Sequence, residues 1–219
     1  MAKHNSSPAP RITFAAPTGL ADGDVQGLEP HESREGERFD GGDLTDVDLS
    51  GISLMECVLD AVTLTDTGLR GARFVDSVVS ASFATSLVAA RSTWRRVRIE
   101  NARWGSAELF DSVLESVAVA GGKIDFLNLR GAKLTDVEIE NAQITELDLA
   151  SFIGTRVAIR NCRIDTIDFT HATCVDVDLR DTTFSRFVGI QGMRGTILSE
   201  AQLAEFAPVM AGLLGIRVE

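Results

Sequence analysis

Three histidines and three cysteines are the side chains of this 219-residue chain best suited to catalysis or metal binding near neutral pH. A histidine base needs a nucleophile or carboxylate beside it, and a zinc site needs paired N or S ligands at short spacing. Neither pattern is present. His4 and His31 lie in a proline-rich N-terminal stretch, and no local motif surrounds His171. Cys57, Cys162 and Cys174 have unrelated spacings, which argues against both a disulfide framework and a zinc knuckle. Carboxylates are abundant, with 32 Asp plus Glu against 21 Lys plus Arg and a net charge of −11. Acid–base catalysis, however, needs a pocket that tunes such groups. Whether one exists depends on the elements that carry them.

Those elements announce themselves through a period of five. From Phe39 through Leu44, Leu49, Leu54, Leu59 and onward to Leu179 and Phe184, every fifth residue is apolar or small. The run makes thirty stations without a slip in phase, with Ala84, Ala89, Gly154 and Cys174 the small ones. Neither the helical period of 3.6 nor the strand period of 2 produces this beat, and a fixed short period marks a stacked repeat.

Charge tests the period independently. Between residues 39 and 184 there are 23 acidic and 14 basic residues, and none falls on a station or two residues before one. An unpaired buried charge is strongly unfavourable, so these two classes point inward and the other three outward. The minus-two class is mostly small or branched, as at Val47, Val62, Ala72, Val97, Ala102 and Val137. Two of its larger members, Leu87 and Phe152, precede the small stations Ala89 and Gly154, the compensation expected of a close-packed interior. All three cysteines fall in inward classes and read as small core fillers.

Segments such as Gly42-Asp43-Leu44-Thr45-Asp46, Ala72-Arg73-Phe74-Val75-Asp76 and Ala132-Lys133-Leu134-Thr135-Asp136 resemble the pentapeptide-repeat family, consensus A(D/N)LXX. The resemblance covers residues 37–187. It implies an all-β solenoid, a right-handed quadrilateral parallel β-helix of about 7–8 coils with twenty residues each, roughly 35 Å long at ~4.8 Å per coil. The implied interior is filled by side chains, and Gly41-Gly42 and Gly121-Gly122 fall at corners rather than in phosphate loops.

Position modulo twenty then maps the surface. Thr45, Thr65, Thr85 and Thr145 share an outward column, and Asn101, Asn141 and Asn161 share a corner. The sides built on Phe39, Leu44 and Leu49 carry net charges of −4, −3 and −2, and the side built on Leu54 is neutral. Glu108, Asn128, Asp148 and Asp168 form a largely acidic stripe, with Arg103, Lys123 and Arg163 a basic one nearby. Arg91, Arg95, Arg96, Arg98 and Arg103 form a girdle at mid-rod.

The ends depart from the repeat. Residues 1–36 hold four of the five prolines and read as an extended or partly disordered arm, with Ile12 and Phe14 as anchors. Met55 and Val75, with Val58 and Val78 around the next corner, offer an outward apolar cluster that could receive the arm or a partner. Residues 188–219 read as a cap. Ser199 and Gln202 make a capping-box pattern that opens a helix near residue 200. Leu203, Phe206, Met210 and Leu213 or Leu214 form its apolar stripe, Pro208 should kink or divide it, and Gly212 or Gly215 should end it. Ile216-Arg217-Val218 reads as a terminal strand.

These features predict a non-enzyme with no cofactor and no metal. The primary expectation is a rigid protein-interaction scaffold with an unknown partner. The resemblance also implies an alternative, a DNA mimic that binds DNA gyrase and modulates fluoroquinolone susceptibility, with Glu108, Glu138, Asp148, Asp168 and Asp178 as partner-binding residues. It further implies a homodimer through the C-terminal end, built on Leu203, Phe206, Met210, Leu213 and Leu214. Acidity argues against direct binding of nucleic acid or anionic membrane. No apolar run approaches the roughly 18 residues of a membrane span, and Met1–Pro8 lacks a signal-like apolar region, so the expected location is the cytoplasm.

Overall fold

The computed structural model describes residues 9–213 and 215–217. His4, Leu214 and Val218 therefore lie outside the described residues. Each strand pairs in parallel with the one twenty residues on, as in Phe39 with Leu59, Leu59 with Val79, and Val79 with Ile99. The inward stations from Phe39 to Phe184 are all buried, and the outward classes carry the charge. One sheet path joins ten strands, from Ala21–Asp22 to Thr196–Ile197, in nine steps. The rod thus has about nine turns, more than the 7–8 expected, because each end adds a shorter layer. Ala21 pairs with Glu37, a step of 16 residues, and Val177 pairs with Thr196, a step of 19.

The corners explain how five residues make a side. At most corners the residue two after the station takes a left-handed conformation, as at Gly41 (φ 74°), Asp46 (φ 61°) and Glu56 (φ 50°). Asp, Asn and Gly tolerate that region best, and the asparagine column Asn101, Asn141 and Asn161 occupies one such corner with φ of 51°, 56° and 50°. One corner departs from the regular square. Asp46 and Asp66 turn there in the early coils, but from Phe83 onward the chain passes straight through it as the strands Phe83–Val88, Arg103–Glu108, Lys123–Asn128, Gln143–Asp148, Arg163–Asp168 and Thr183–Val188. The residues now at that position, Ser86, Ser106, Phe126, Glu146, Thr166 and Arg186, are poorer left-handed formers than Asp, and two sides merge into one six-stranded sheet.

The open corner also accounts for Leu87. Leu127, Leu147 and Ile167 share its column, and both Leu127 and Leu147 precede a full-sized leucine station. The straightened side, rather than the small Ala89, makes room for it. Phe152 and Gly154 do show the expected compensation, with Phe152 fully buried. Inward hydroxyls are satisfied by nearby carbonyls or by indole groups. Thr67 Oγ1 donates to Leu44 O at 2.8 Å, and Trp94 Nε1 donates to Ser92 Oγ at 2.7 Å while its ring stacks on Phe74 at 4.1 Å.

Both ends are closed. At the N-terminal end Leu28 is buried, and Arg34 takes the place of an inward station one register step before Leu54. Its Nη2 donates to Gly27 O at 2.7 Å, and its Nε lies 2.7 Å from Glu32. At the C-terminal end the helix α1, Glu200–Leu213, lies on the last coil. The capping box forms as expected. Ser199 N donates to Gln202 Oε1 at 2.8 Å, and Gln202 N donates to Ser199 Oγ at 3.2 Å. Gln202 Nε2 also donates to Leu179 O and Thr182 O, both at 2.7 Å, filling carbonyls that the next coil would otherwise pair.

No second helix starts at Pro208, and α1 runs through it; Pro208 and Ala204, whose carbonyl loses the bond, are on the exposed side where water can replace it. The expected terminal strand fails. Ile216 and Arg217 lie outside any strand. Gly215, at φ 73°, turns the chain back, and Ile216 N donates to Ala211 O at 2.9 Å. The terminal edge strand is instead Thr196–Ile197, paired with Val177 and Asp178.

Candidate protein-interaction surfaces

Glu108, Asn128, Asp148 and Asp168 do stack in register on the merged sheet. They are not a free anionic row. Asn128 Nδ2 donates to Glu108 at 2.6 Å, and Arg130 donates to Asp148 at 2.8 and 3.1 Å. Asp148 also accepts Ala150 N, and Asp168 accepts Thr170 N, so both carboxylates hold turns. Glu138 and Asp178 share a column half a coil away, on the other sheet. The structure therefore divides the five partner-binding candidates between two separate surfaces. None of the five is fully exposed.

Pairing sets their charge behaviour. Hydrogen bonds from Arg180 hold the Asp178 carboxyl below the ordinary carboxylate range. Burial pushes Glu138 up, and neighbouring Glu140 adds to the rise, while Arg160 opposes it. The basic stripe is the more accessible one. Arg103, Lys123 and Arg163 stack with Gln143 and all four are exposed, although Lys123 lies 2.9 Å from Asp125.

At the C-terminal end the helical stripe divides. Phe206 is buried, stacked on Phe184 at 4.7 Å and edge-on to Phe187 at 5.0 Å, and Met210 packs partly against the core. Leu203 is exposed, as are Val209 and Ile216. Leu213 ends the helix, and Leu214 falls outside the described residues. Phe206 and Met210 therefore close the rod, and among the described side chains of the expected dimer set Leu203 is the one facing outward.

The residues with catalytic potential are not assembled. His171 occupies a left-handed corner at φ 59° and is exposed. The three cysteines are buried and free, and burial pushes the Cys174 thiol up to about 11. No group of three or more His, Cys, Asp or Glu among the described residues could hold a metal ion. No helix of the described residues is long and apolar enough to cross a membrane.

A surface absent from the sequence reading lies at the corner through Asp76, Arg96, Ser116, Asp136 and Arg156. Asp136 pairs with Arg156 through two bonds of 2.6 Å, which hold its carboxyl low. The N-terminal arm runs along this corner. Arg11 N donates to Asp136 Oδ1 at 2.9 Å, Thr13 N donates to Ser116 Oγ at 2.6 Å, and Phe14 lies 5.0 Å beneath the Arg98 guanidinium. Arg98 is the register neighbour of Val78, so the arm reaches the margin of the expected apolar dock while binding mostly polar side chains beyond it. The alternation of Ile12, Thr13 and Phe14 was the available signal; it gave no destination.

Among curated proteins none matches the chain. Among solved structures it is similar to a trypsin-treated form of QnrB1, a plasmid-mediated fluoroquinolone resistance protein, at 17% identity and a TM-score of 0.42, covering 90% of this chain and 96% of that one. It is also similar to HetL, a pentapeptide repeat protein involved in heterocyst differentiation regulation from the cyanobacterium Nostoc sp. strain PCC 7120. There the identity is 13% and the TM-score 0.38, over 80% of this chain and 94% of that one. Residues 39–79 match the family model for pentapeptide repeats. Those residues form the first coils of a register that continues to Phe184, so the repeat that the family model matches extends in the structure beyond the matched segment.

Proposed function

We propose that this protein is a rigid, non-enzymatic interaction scaffold acting in the cytoplasm, with a protein as its partner. One observation carries the reading. The apolar side chains fill the interior, and many of the outward charges pair with one another on a convex rod, as in Asp76–Arg96, Asp136–Arg156 and Asp178–Arg180. Such a surface is preorganised for docking, with little side-chain entropy left to lose on binding. Affinity capture with the full chain tests it. A reproducible partner lost on reversing the exposed charges Arg103 and Arg163 supports the scaffold, and capture indifferent to every surface substitution counts against it.

A second reading is mimicry of duplex DNA toward DNA gyrase, favoured by the net charges of −4, −3 and −2 on three sides. Duplex DNA presents one charge per about 1.7 Å, and the in-register carboxylates here recur at about 4.8 Å. The pairing of Asp148, Glu138 and Asp178 with arginines thins the row further. A supercoiling assay decides. If micromolar protein neither inhibits supercoiling nor relieves drug-stabilised cleavage, mimicry is abandoned and the scaffold reading stands. We also propose a homodimer through the C-terminal end, with the outward face at Leu203, Val209 and Ile216 in place of the buried Phe206.

A further inference from the structure

We propose that the corner through Ser116 and Asp136 is a peptide-binding surface, that the chain's own N-terminal arm is its resident ligand, and that an extended segment of a partner protein with the same chemistry competes for it. Corner side chains normally face water. Ser116 and Asp136 are instead only 5% and 9% exposed, although both belong to an outward class. They sit one coil apart in the same column and accept the main-chain N–H groups of two arm residues, Thr13 and Arg11, that are themselves two apart. Ser116 Oγ also lies 3.2 Å from Thr13 Oγ1. Alternate residues of an extended chain face the same way, so a donor at every second position suits one acceptor per coil when the strand lies oblique to the rod.

The recognition is sparse and tolerant of sequence. It uses two amide donors, half-buried Ile12 between them, and an aromatic ring one residue further on beneath Arg98. Residues 9–20 form no strand with the rod, so no sheet ladder holds them. Segments held by so few bonds open locally while the core stays folded. The Asp136 acceptor remains in place when the arm leaves, because Arg156 grips it through both carboxylate oxygens. The fitting partner is therefore an extended peptide with free N–H groups at alternate positions, an apolar residue between them and an aromatic after the second.

The proposal rests on the scaffold reading only for its partner class. The test uses the full chain and a labelled synthetic peptide with the sequence of residues 9–20. Thr13→Pro in the chain deletes the donor to Ser116 and loosens the arm without touching the rod. It should tighten peptide binding about fivefold, the equivalent of one net hydrogen bond. In that background Ser116→Ala should weaken binding by a similar factor. A peptide carrying Thr13→Pro should bind markedly less tightly to any version of the chain that keeps Ser116. Absence of peptide binding to the Thr13→Pro chain, or equal binding of the two peptides, overturns the proposal. Neither result bears on partners captured through the charged sides, so the scaffold reading would fail or survive separately.

Discussion

The Phe152 ring occupies the space that Gly154 leaves. A Cβ on Gly154 would lie 2.5 Å from Phe152 Cε2 and 2.8 Å from Cζ, closer than carbon atoms approach. Both residues face the interior of one coil, where other coils carry in the same register pairs such as Ile52 with Leu54 or Ala132 with Leu134. The side chains can exchange volume only because the backbone frame of the coil is constant.

Gly154→Ala should therefore destabilise the rod by about 1–3 kcal/mol through overpacking. Joining it to Phe152→Val should recover much of the loss, because the pair then approaches the volume of an ordinary coil. Chemical denaturation of the two single variants and the double variant checks this. Additive effects would show that the two sites are uncoupled.

Gln202 belongs to two structures at once, the start of α1 and the exposed edge of the last coil. Gln202→Ala should remove the capping box, strand the Thr182 carbonyl and leave the Leu179 carbonyl with only its bond from Thr182 N, a loss of about 2–3 kcal/mol. A solenoid is coupled mainly to its nearest neighbours, so the damage should stay at this end. Hydrogen exchange should quicken at residues 183–197 and remain unchanged near Phe74. Gln202→Glu should be worse than Ala at neutral pH, since it brings a carboxylate against two carbonyls.

The reach of the sequence follows from what is periodic. Burial from Phe39 to Phe184, the stacking of residues twenty apart and the capping box at Ser199 were all legible, because each depends on local spacing. The corner that opens after Asp66 was not, since the stations keep their phase through it; only the change from Asp66 to Ser86 and Phe126 marks it. The arm's seat was hidden because Arg11 and Asp136 are 125 residues apart with no repeat to relate them. Of the site candidates, the acidic stripe was placed correctly in space. The pairing of Asp148 was missed because Arg130 reaches it from a neighbouring column rather than from the same stack.

Acid should loosen this protein in a defined window. Guanidinium hydrogen bonds from Arg96, Arg156 and Arg180 hold Asp76, Asp136 and Asp178 below their ordinary values. Each contributes stability that is complete above the unfolded value of about 3.9 and lost as pH falls through the folded one. Glu138, raised by burial, works in reverse; its contribution is present in acid and lost as pH rises through its folded value. The three aspartates outnumber it, so the melting temperature should fall as pH drops below about 4. Asp136→Asn should lower the melting temperature near neutrality by roughly 2–4 °C per kcal/mol lost and flatten the acid decline. An unchanged pH profile in that variant would remove Asp136 from the account.

The two faces of α1 separate capping from assembly. Phe206→Asp should unseat the helix from Phe184 and Phe187 and destabilise the C-terminal end by about 3–5 kcal/mol, whatever the oligomeric state. Leu203→Asp adds a charge where the side chain is already in water, so the fold should be unaffected. If the helix's outer face joins two copies, that charge is buried without a partner in the dimer and association is lost. Light scattering should then report a monomer of about 23.5 kDa for Leu203→Asp with an unchanged melting curve of the isolated rod. A persistent dimer would place the interface elsewhere, and a Phe206→Asp monomer alone would not rescue it, because loss of the cap removes any surface the helix presents.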